Sequence, residues 1–497
     1  MNRRAVLLAS AALLGGCAVG PAYRPAPVVP ASTQVGTVRL ADSTRAFFDS
    51  LAAARAADSL RPPAARPLPP RRLAADSVAD LAWLDVLRDS TLTRLVGLAL
   101  RQNRDVQSAQ ARIAEYRAEA AVARAPLFPS VTLNGSASRN KAAFGTLAIP
   151  PYTAWRATAD LAWELDFWGQ IRRGMQAANA DLAAQQEAER ATVLSLVSNV
   201  ATGYLQLLEL DQERSVAERT LSSRQATLDL ARRRFSRGLI SELDVRQFEA
   251  QVAVPAARLA QVEQQRSQAE HALDVLLGEG PVAIPRGGSL ASAARSVVVP
   301  DSVPATLLAR RPDVAAAERA YAAATARIGI ADAARLPAFV ITGSYGSQSP
   351  TTGSLFTSPT RIYQLLGGVS IPLFTGGRLV NEAQAARARA EQARDRYEQT
   401  VLVALGEAGD ALVGVRAARD EAAAEQTQAT ALRRALELAQ LRYSTGVSNY
   451  LEVLDAERSL FEAELAASQA ELQQLTAAVR LYKALGGSWP GMAAPGH

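Results

Sequence analysis

Lysine is nearly absent. Lys141 and Lys483 are the only two in 497 residues, so basicity rests on arginine, and a net charge of +6 comes without a basic patch interleaved with aromatics. The arginines are mostly spread along helical stretches beside Glu and Asp, which reads as solvated helix faces and argues against a nucleic-acid partner. Cysteine occurs once, as Cys17, which excludes a disulfide framework and any cysteine-built metal site. The two histidines, His271 and His497, have no evident partners in the sequence. With no Gly-rich phosphate loop and no metal-spaced His and Cys set, no catalytic residue, metal or cofactor is expected. Aromatic residues make up 5% of the chain, too little large apolar surface for long helices to collapse into a compact globule.

The N-terminus does contain an export signal. Arg3 and Arg4 precede an apolar run from Ala5 to Leu14, too short for a transmembrane helix but right for a signal peptide over residues 1–16. The run ends Leu14-Gly15-Gly16-Cys17, which resembles a bacterial lipobox, so cleavage before Cys17 and its acylation (diacylglycerol, palmitate) are expected. Ala18 follows, where Asp would mark inner-membrane retention, and the expected address is the outer membrane, with lipid as one partner. Residues 17–82 are rich in Pro, Ala and Arg and read as a tether, with a short helix near residues 47–57.

Beyond Trp83 the chain repeats itself. Leu228 to Val245 resembles Leu436 to Val453; Gly446 follows Gly238 by 208 positions (446 − 238), and the same offset pairs Phe235 with Tyr443 and Asp244 with Glu452. Each stretch reads as a helical hairpin. A long helix ends in arginine and stops at a Gly able to take φ > 0; Ser241 or Asn449 then opens a return helix, with Asp244 or Glu452 as capping-box acid. The expected organisation is a first repeat over 83–278, a Gly/Pro-rich linker over 279–300, a second repeat over 301–486 and a tail over 487–497.

Within each repeat the hydrophobic period changes from helix to strand and back. A helix is expected from about Ser90 to Ala125, ended by Pro126 and Pro129; strands at 131–139 and 155–167; a helix from Gly169 to Phe235; and a return helix from Ser241 to Leu277. The second repeat places strands at 339–347 and 363–373. In the second strand Trp155, Ala157, Ala159, Leu161, Trp163, Leu165 and Phe167 alternate with mostly polar residues; aromatics cluster at the ends as in the girdles of membrane barrels, with a small soluble sheet packed on the helices as the alternative. The helix from Gly169 carries a stripe of Val193, Val197, Val200, Tyr204 and Leu207 and is about 100 Å long at 1.5 Å per residue. Two shorter helices stacked end to end would flank it. Four strands cannot close a barrel, and open edges are not tolerated in lipid, so several protomers must share one barrel and one helical tube; three would supply twelve strands.

The chain resembles the outer membrane factors of the TolC/OprM type. The resemblance rests on Cys17-Ala-Val-Gly20-Pro21-Ala-Tyr23-Arg-Pro25, on Trp83 to Asp105, on Leu307-Leu-Ala-Arg-Arg311-Pro312-Asp313-Val-Ala-Ala-Ala-Glu318, on Ala326-Arg-Ile-Gly329, and on Leu441-Arg-Tyr443-Ser-Thr-Gly446 running into Leu451-Glu-Val-Leu-Asp455-Ala. It implies a mainly α protein with a membrane β-barrel part: a homotrimer whose long helices form an α-barrel and whose strands, four per protomer, complete a twelve-stranded barrel. It also implies a periplasmic adaptor (membrane fusion protein) and an inner-membrane transporter of RND type as partners, in drug or toxin efflux. Type I protein secretion is the alternative duct function, and a structural periplasmic coiled coil the alternative outside transport.

The resemblance implies roles for the tips. Asp455, Glu452 and Leu451 would ring the periplasmic gate; Asp244, Leu243 and Tyr443 would brace it. Gly238, Leu239, Ile240, Gly446, Val447 and Ser448 would meet the adaptor. Family members can carry Arg where Ser448 stands, so hydrogen bonds such as one from the Tyr443 hydroxyl replace an ionic latch to Asp244. Asp455 also has Arg458 within reach on its own helix, and the first repeat has Gln247 in its place.

Overall fold

The computed structural model describes residues 18–23, 34–35, 89–141, 143–144, 147–148, 150–291, 303–304 and 310–487. Cys17, Trp83, most of the tether including the helix expected near 47–57, and His497 lie outside them. The elements, in order, are α1 (Ser90–Gln102), α2 (Arg104–Arg124), β1 (Ser130–Asn140), β2 (Tyr152–Leu165), α3 (Gln170–Phe235) and α4 (Glu242–Leu277). They are followed by α5 (Pro312–Ala333), β3 (Ala338–Ser349), β4 (Arg361–Ser370), α6 (Arg378–Ser444) and α7 (Tyr450–Ala484). The order helix, strand, strand, long helix, return helix thus occurs twice.

The helix expected from Ser90 to Ala125 is in fact two. Asn103 leaves helical geometry (φ −61°, ψ 132°), its side chain accepts from the Asp105 and Val106 amides to start α2, and its Nδ2 donates to the Leu276 carbonyl at 3.0 Å. One amide side chain therefore caps α2 and joins it to the end of α4, completing the stack along α3. In the second half Arg311 does the joining, donating Nη1 to the Ala484 carbonyl at 2.9 Å while Pro312 opens α5.

The helices form one layer of four columns: α2 stacked on α4, then α3, then α5 stacked on α7, then α6. At the middle of α3, Val200, Tyr204 and Leu207 are fully buried with Leu92 and Leu95 of α1, Leu273 and Leu277 of α4, and Leu475 of α7, so the expected stripe is the core. Tyr204 ties this waist together: its hydroxyl donates to Asp89 Oδ2 at 2.8 Å and accepts from the Gly287 amide at 2.9 Å. Part of α3 is long and apolar enough to cross a membrane, but half of that stretch is buried.

The sheet order is β1-β2-β3-β4, all antiparallel, with β2 paired to β3 across the two halves of the chain. Its first and third strands run slightly longer than expected at 131–139 and 339–347, the second is shifted to Tyr152–Leu165 from the expected 155–167, so that Phe167 lies beyond it, and the last ends at Ser370 rather than 373, where Ile371-Pro372 breaks the pairing. Register aligns Leu133, Ala159, Tyr345 and Tyr363 in one row and Val131, Leu161, Gly343 and Leu365 in another. The opposite face carries the row Thr132, Asp160, Ser344, Gln364. Leu133 is 85% and Tyr363 86% exposed, whereas Thr158 on the polar face is 2% exposed. The large apolar side chains Leu133, Tyr345, Tyr363 and Leu365 therefore lie exposed on one face of the sheet with no layer packed over them, as in a strand that meets lipid.

Aromatics gather where sheet meets helices. Trp163 donates its indole N–H to the Leu127 carbonyl, Trp168 to that of Pro337, and the Phe167 ring lies 5.5 Å from Phe339. The segment Ala18–Tyr23 is fastened at the same junction. The Val19 amide donates to the Trp168 carbonyl, Arg173 donates to the carbonyls of Val19 and Gly20, and the Tyr23 hydroxyl donates to Glu318. Gly20 has φ 99°, and a Cβ there would sit 2.4 Å from the Cα of Gly329. Only glycine at both positions lets the two backbones touch.

Candidate functional site at the helical tips

The α3–α4 and α6–α7 turns share one backbone solution. In each, the glycine amide bonds back three residues and the next amide bonds back five: Gly238 to Phe235 and Leu239 to Arg234, Gly446 to Tyr443 and Val447 to Arg442. This is the Schellman arrangement, and φ of 75° and 78° explains why Gly238 and Gly446 are glycines. Leu239, Leu243, Val447 and Leu451 are left exposed on the two tips. Ile240 is half-buried and Val245 buried, at the two positions of a hydrophobic staple.

The caps differ between the copies. Ser241 and Asp244 form the expected capping box: the Asp244 amide donates to Ser241 Oγ, and Asp244 Oδ2 accepts from the Ser241 amide at 2.8 Å and hydroxyl at 2.7 Å. Those hydrogen bonds hold the Asp244 carboxyl below its ordinary range. At α7, Asn449 alone caps, accepting from the Leu451 amide, and Glu452 is not a capping-box acid. It turns instead to Arg442 in the last turn of α6, at 3.4 Å, a cation that Asp244 has no counterpart for in its own pairing. Asp455 pairs with Arg458 on its own helix at 2.8 Å, and both are exposed.

Tyr443 does not reach for the Asp244 side of the first tip. Its hydroxyl accepts from Arg234 Nη1, the Arg234 guanidinium lies 5.7 Å from the Tyr443 ring centre, and Tyr450 packs edge-on at 5.1 Å. Arg234, one residue before Phe235, is thus one link between the hairpins, beside the Phe248–Tyr450 ring contact at 4.6 Å. Ser448 is half-buried. The structure therefore brings Tyr443 to the first hairpin through Arg234, and leaves Asp244, Glu452 and Asp455 each with a partner in its own hairpin.

Above the tips, two buried polar groups escaped sequence reading. Arg224 of α3 is 3% exposed and meets α4 and α7 together. Glu209 and Glu213, also on α3, are buried together, with Arg258 of α4 bonded to Glu213. Burial and then the Glu213 charge push the Glu209 carboxyl up to about 8, against the pull of Arg258 and Ser468. The sequence signal was a charged residue in a buried helical register, such as Arg224 between Ala217 and Leu228. A carboxyl raised from 4.5 to about 8 makes the folded protein bind more protons than the unfolded one in that window, so stability falls as pH rises through it. Glu209→Gln is expected to be more stable than the parent above pH 8 and indistinguishable near pH 4, read by thermal denaturation of the detergent-solubilised protein.

The family model for outer membrane efflux proteins matches residues 95–279 and again 303–487. The pyoverdine export outer membrane protein OpmQ of Pseudomonas putida is 32% identical over 423 residues, covering 84% of this chain and 90% of its own length. Among solved structures, CusC superimposes with a TM-score of 0.79 at 27% identity, covering 95% of this chain and 100% of that one. The open state of the MtrE outer membrane channel of Neisseria gonorrhoeae superimposes with a TM-score of 0.77 at 28% identity, covering 95% and 98%. With a sheet that exposes its apolar rows, a layer of helices about 100 Å long and two glycine-turned tips, the chain belongs to the outer membrane efflux protein family, the outer membrane channels of tripartite efflux systems.

Proposed function

We propose that three copies of this chain close one twelve-stranded barrel in the outer membrane and continue it into a helical tube whose tips form the periplasmic gate. One observation carries the reading most directly: the four-stranded sheet turns its apolar rows outward and, among the described residues, leaves β1 and β4 each with a free edge. Lipid tolerates no unpaired edge, so β1 of one protomer pairs with β4 of the next, and α2–α4 of one lies against α6 of the next. Cys17, next to the fastened Ala18–Tyr23, carries the acyl chains at the periplasmic rim of the barrel. The exposed Leu239 and Val447, the half-buried Ile240 and the turn residues Gly238, Gly446 and Ser448 meet a periplasmic adaptor, which brings an inner-membrane transporter of RND type. Pyoverdine export by the OpmQ relative supports a small-molecule cargo, and a drug or toxic small molecule is the cargo class we favour.

At the threefold axis Leu451 and Asp455 of the three second hairpins form the constriction, with Glu452 beside it and Asp244, Leu243, Tyr443 and Arg234 bracing it. Only the second copy has an acid at this place. Asp455→Ala is expected to raise single-channel conductance in planar bilayers by about twofold or more, because it removes three like charges at the narrowest point. Unchanged conductance, with unchanged sensitivity of cells to large antibiotics, would remove Asp455 from the gate. Deletion of the chain followed by a broad susceptibility screen, with the co-purifying adaptor identified, tests the function as a whole.

A further inference from the structure

A proline stands inside α4, yet α4 runs unbroken from Glu242 to Leu277. Pro255 has no N–H, so the carbonyl four residues earlier, that of Gln251, loses its helical donor. The donor it receives comes from another helix: Arg224 Nη1 of α3, at 2.9 Å. The same guanidinium reaches the Glu457 carbonyl of α7 with Nη2 at 3.5 Å and lies 5.5 Å from the centre of the Phe461 ring. Arg224 is 3% exposed, and the Glu457 beneath it 9%.

We infer that Arg224 is a plug for the gap left by Pro255, and that the pair makes α4 a conditional hinge: rigid while Arg224 holds Gln251, free to bend at Gln251–Pro255 when it does not. The part that moves is Glu242–Val254, the tip half of α4, about 20 Å long at 1.5 Å per residue. Because Arg224 also grips α7, release of α4 and slip of α7 past α3 become one event. A helix interior normally excludes proline, which lacks the amide donor and crowds the carbonyl of the preceding turn. Here a long buried side chain has been placed to compensate, and that compensation depends on a second element holding its position. Under the reading that the tips open, this hinge decides whether the first hairpin follows the second.

The test is hydrogen–deuterium exchange on the detergent-solubilised full chain, comparing parent, Arg224→Met, Pro255→Ala and the double variant, with bilayer conductance measured in parallel. Arg224→Met is expected to speed exchange of the Glu242–Val254 amides about 10-fold. The double variant returns it to within about 3-fold of the parent, because replacing the proline restores the missing backbone donor. Pro255→Ala alone keeps the buried arginine and is informative if Arg224→Met does not assemble: exchange in the same amides slows about 3-fold or more. Equal exchange in parent and Pro255→Ala, or no rescue by Pro255→Ala in the double variant, overturns the hinge. Conductance separates the two readings: altered exchange at unchanged conductance leaves the hinge standing and removes the tip as gate.

Discussion

Tyr204→Ala is expected to cost about 3–5 kcal/mol of stability, the range for deleting a large ring from a closed core. Tyr204 is fully buried at the waist, where α1, α3, α4 and α7 converge, so the cavity is lined by residues fixed from four helices and has little room to collapse. The hydroxyl adds a separable part. It donates to Asp89, which caps α1 by accepting from the Thr91 and Leu92 amides, and it accepts from Gly287 in the segment after α4. Burial, the largest cause, raises the Tyr204 phenol to about 12, so it stays a donor at any working pH. Tyr204→Phe keeps the ring, strands the Gly287 amide and costs about 1–3 kcal/mol. Guanidinium denaturation in detergent should rank parent, Phe and Ala in that order; equal midpoints for parent and Phe would mean that Asp89 and Gly287 find other partners.

Gly346→Val is expected to abolish the barrel. Gly346 faces Thr158 in the β2–β3 ladder, the seam between the two halves of the chain, and a Cβ there would lie 2.0 Å from the Ala157 carbonyl oxygen and 2.6 Å from the Thr158 Cα. Both are backbone atoms, so no side chain can rotate away, and the ladder must open or slip register. A slip of one residue would exchange the apolar and polar rows. The outcome to measure is loss of the heat-modifiable form from the outer membrane fraction. Gly367→Ala is the control, since nothing lies within 4 Å of the Cβ it adds, and it should assemble normally. A heat-modifiable Gly346→Val protein would show that the seam tolerates a shifted register.

Local rules made much of this legible. The 208-residue offset, the glycine turns, the lengths of α3 and α6 and the strand alternation each depend on residues close in sequence, and each corresponds to an element present in the fold. The break at Asn103 was not legible. Arg101 to Val106 has no proline or glycine, and only the Leu276 carbonyl of a helix 173 residues away gives the Asn103 side chain reason to end one helix and start the next. The tips divide the same way. Ser241 and Asp244 make a box because both groups lie within one turn, whereas Glu452 had the same spacing and was drawn off by Arg442.

The sequence by itself determined the helix and strand periods and the turn positions, since propensity, period and φ > 0 are properties of short segments. Tertiary structure alone decided that β2 pairs with β3 across the two halves of the chain, that Tyr443 answers to Arg234, and that Arg224 fills the gap of Pro255. Those are contacts between segments 27 to 209 residues apart, and which carbonyl or ring a guanidinium meets is set by how columns stack, a long-range outcome that no local spacing encodes.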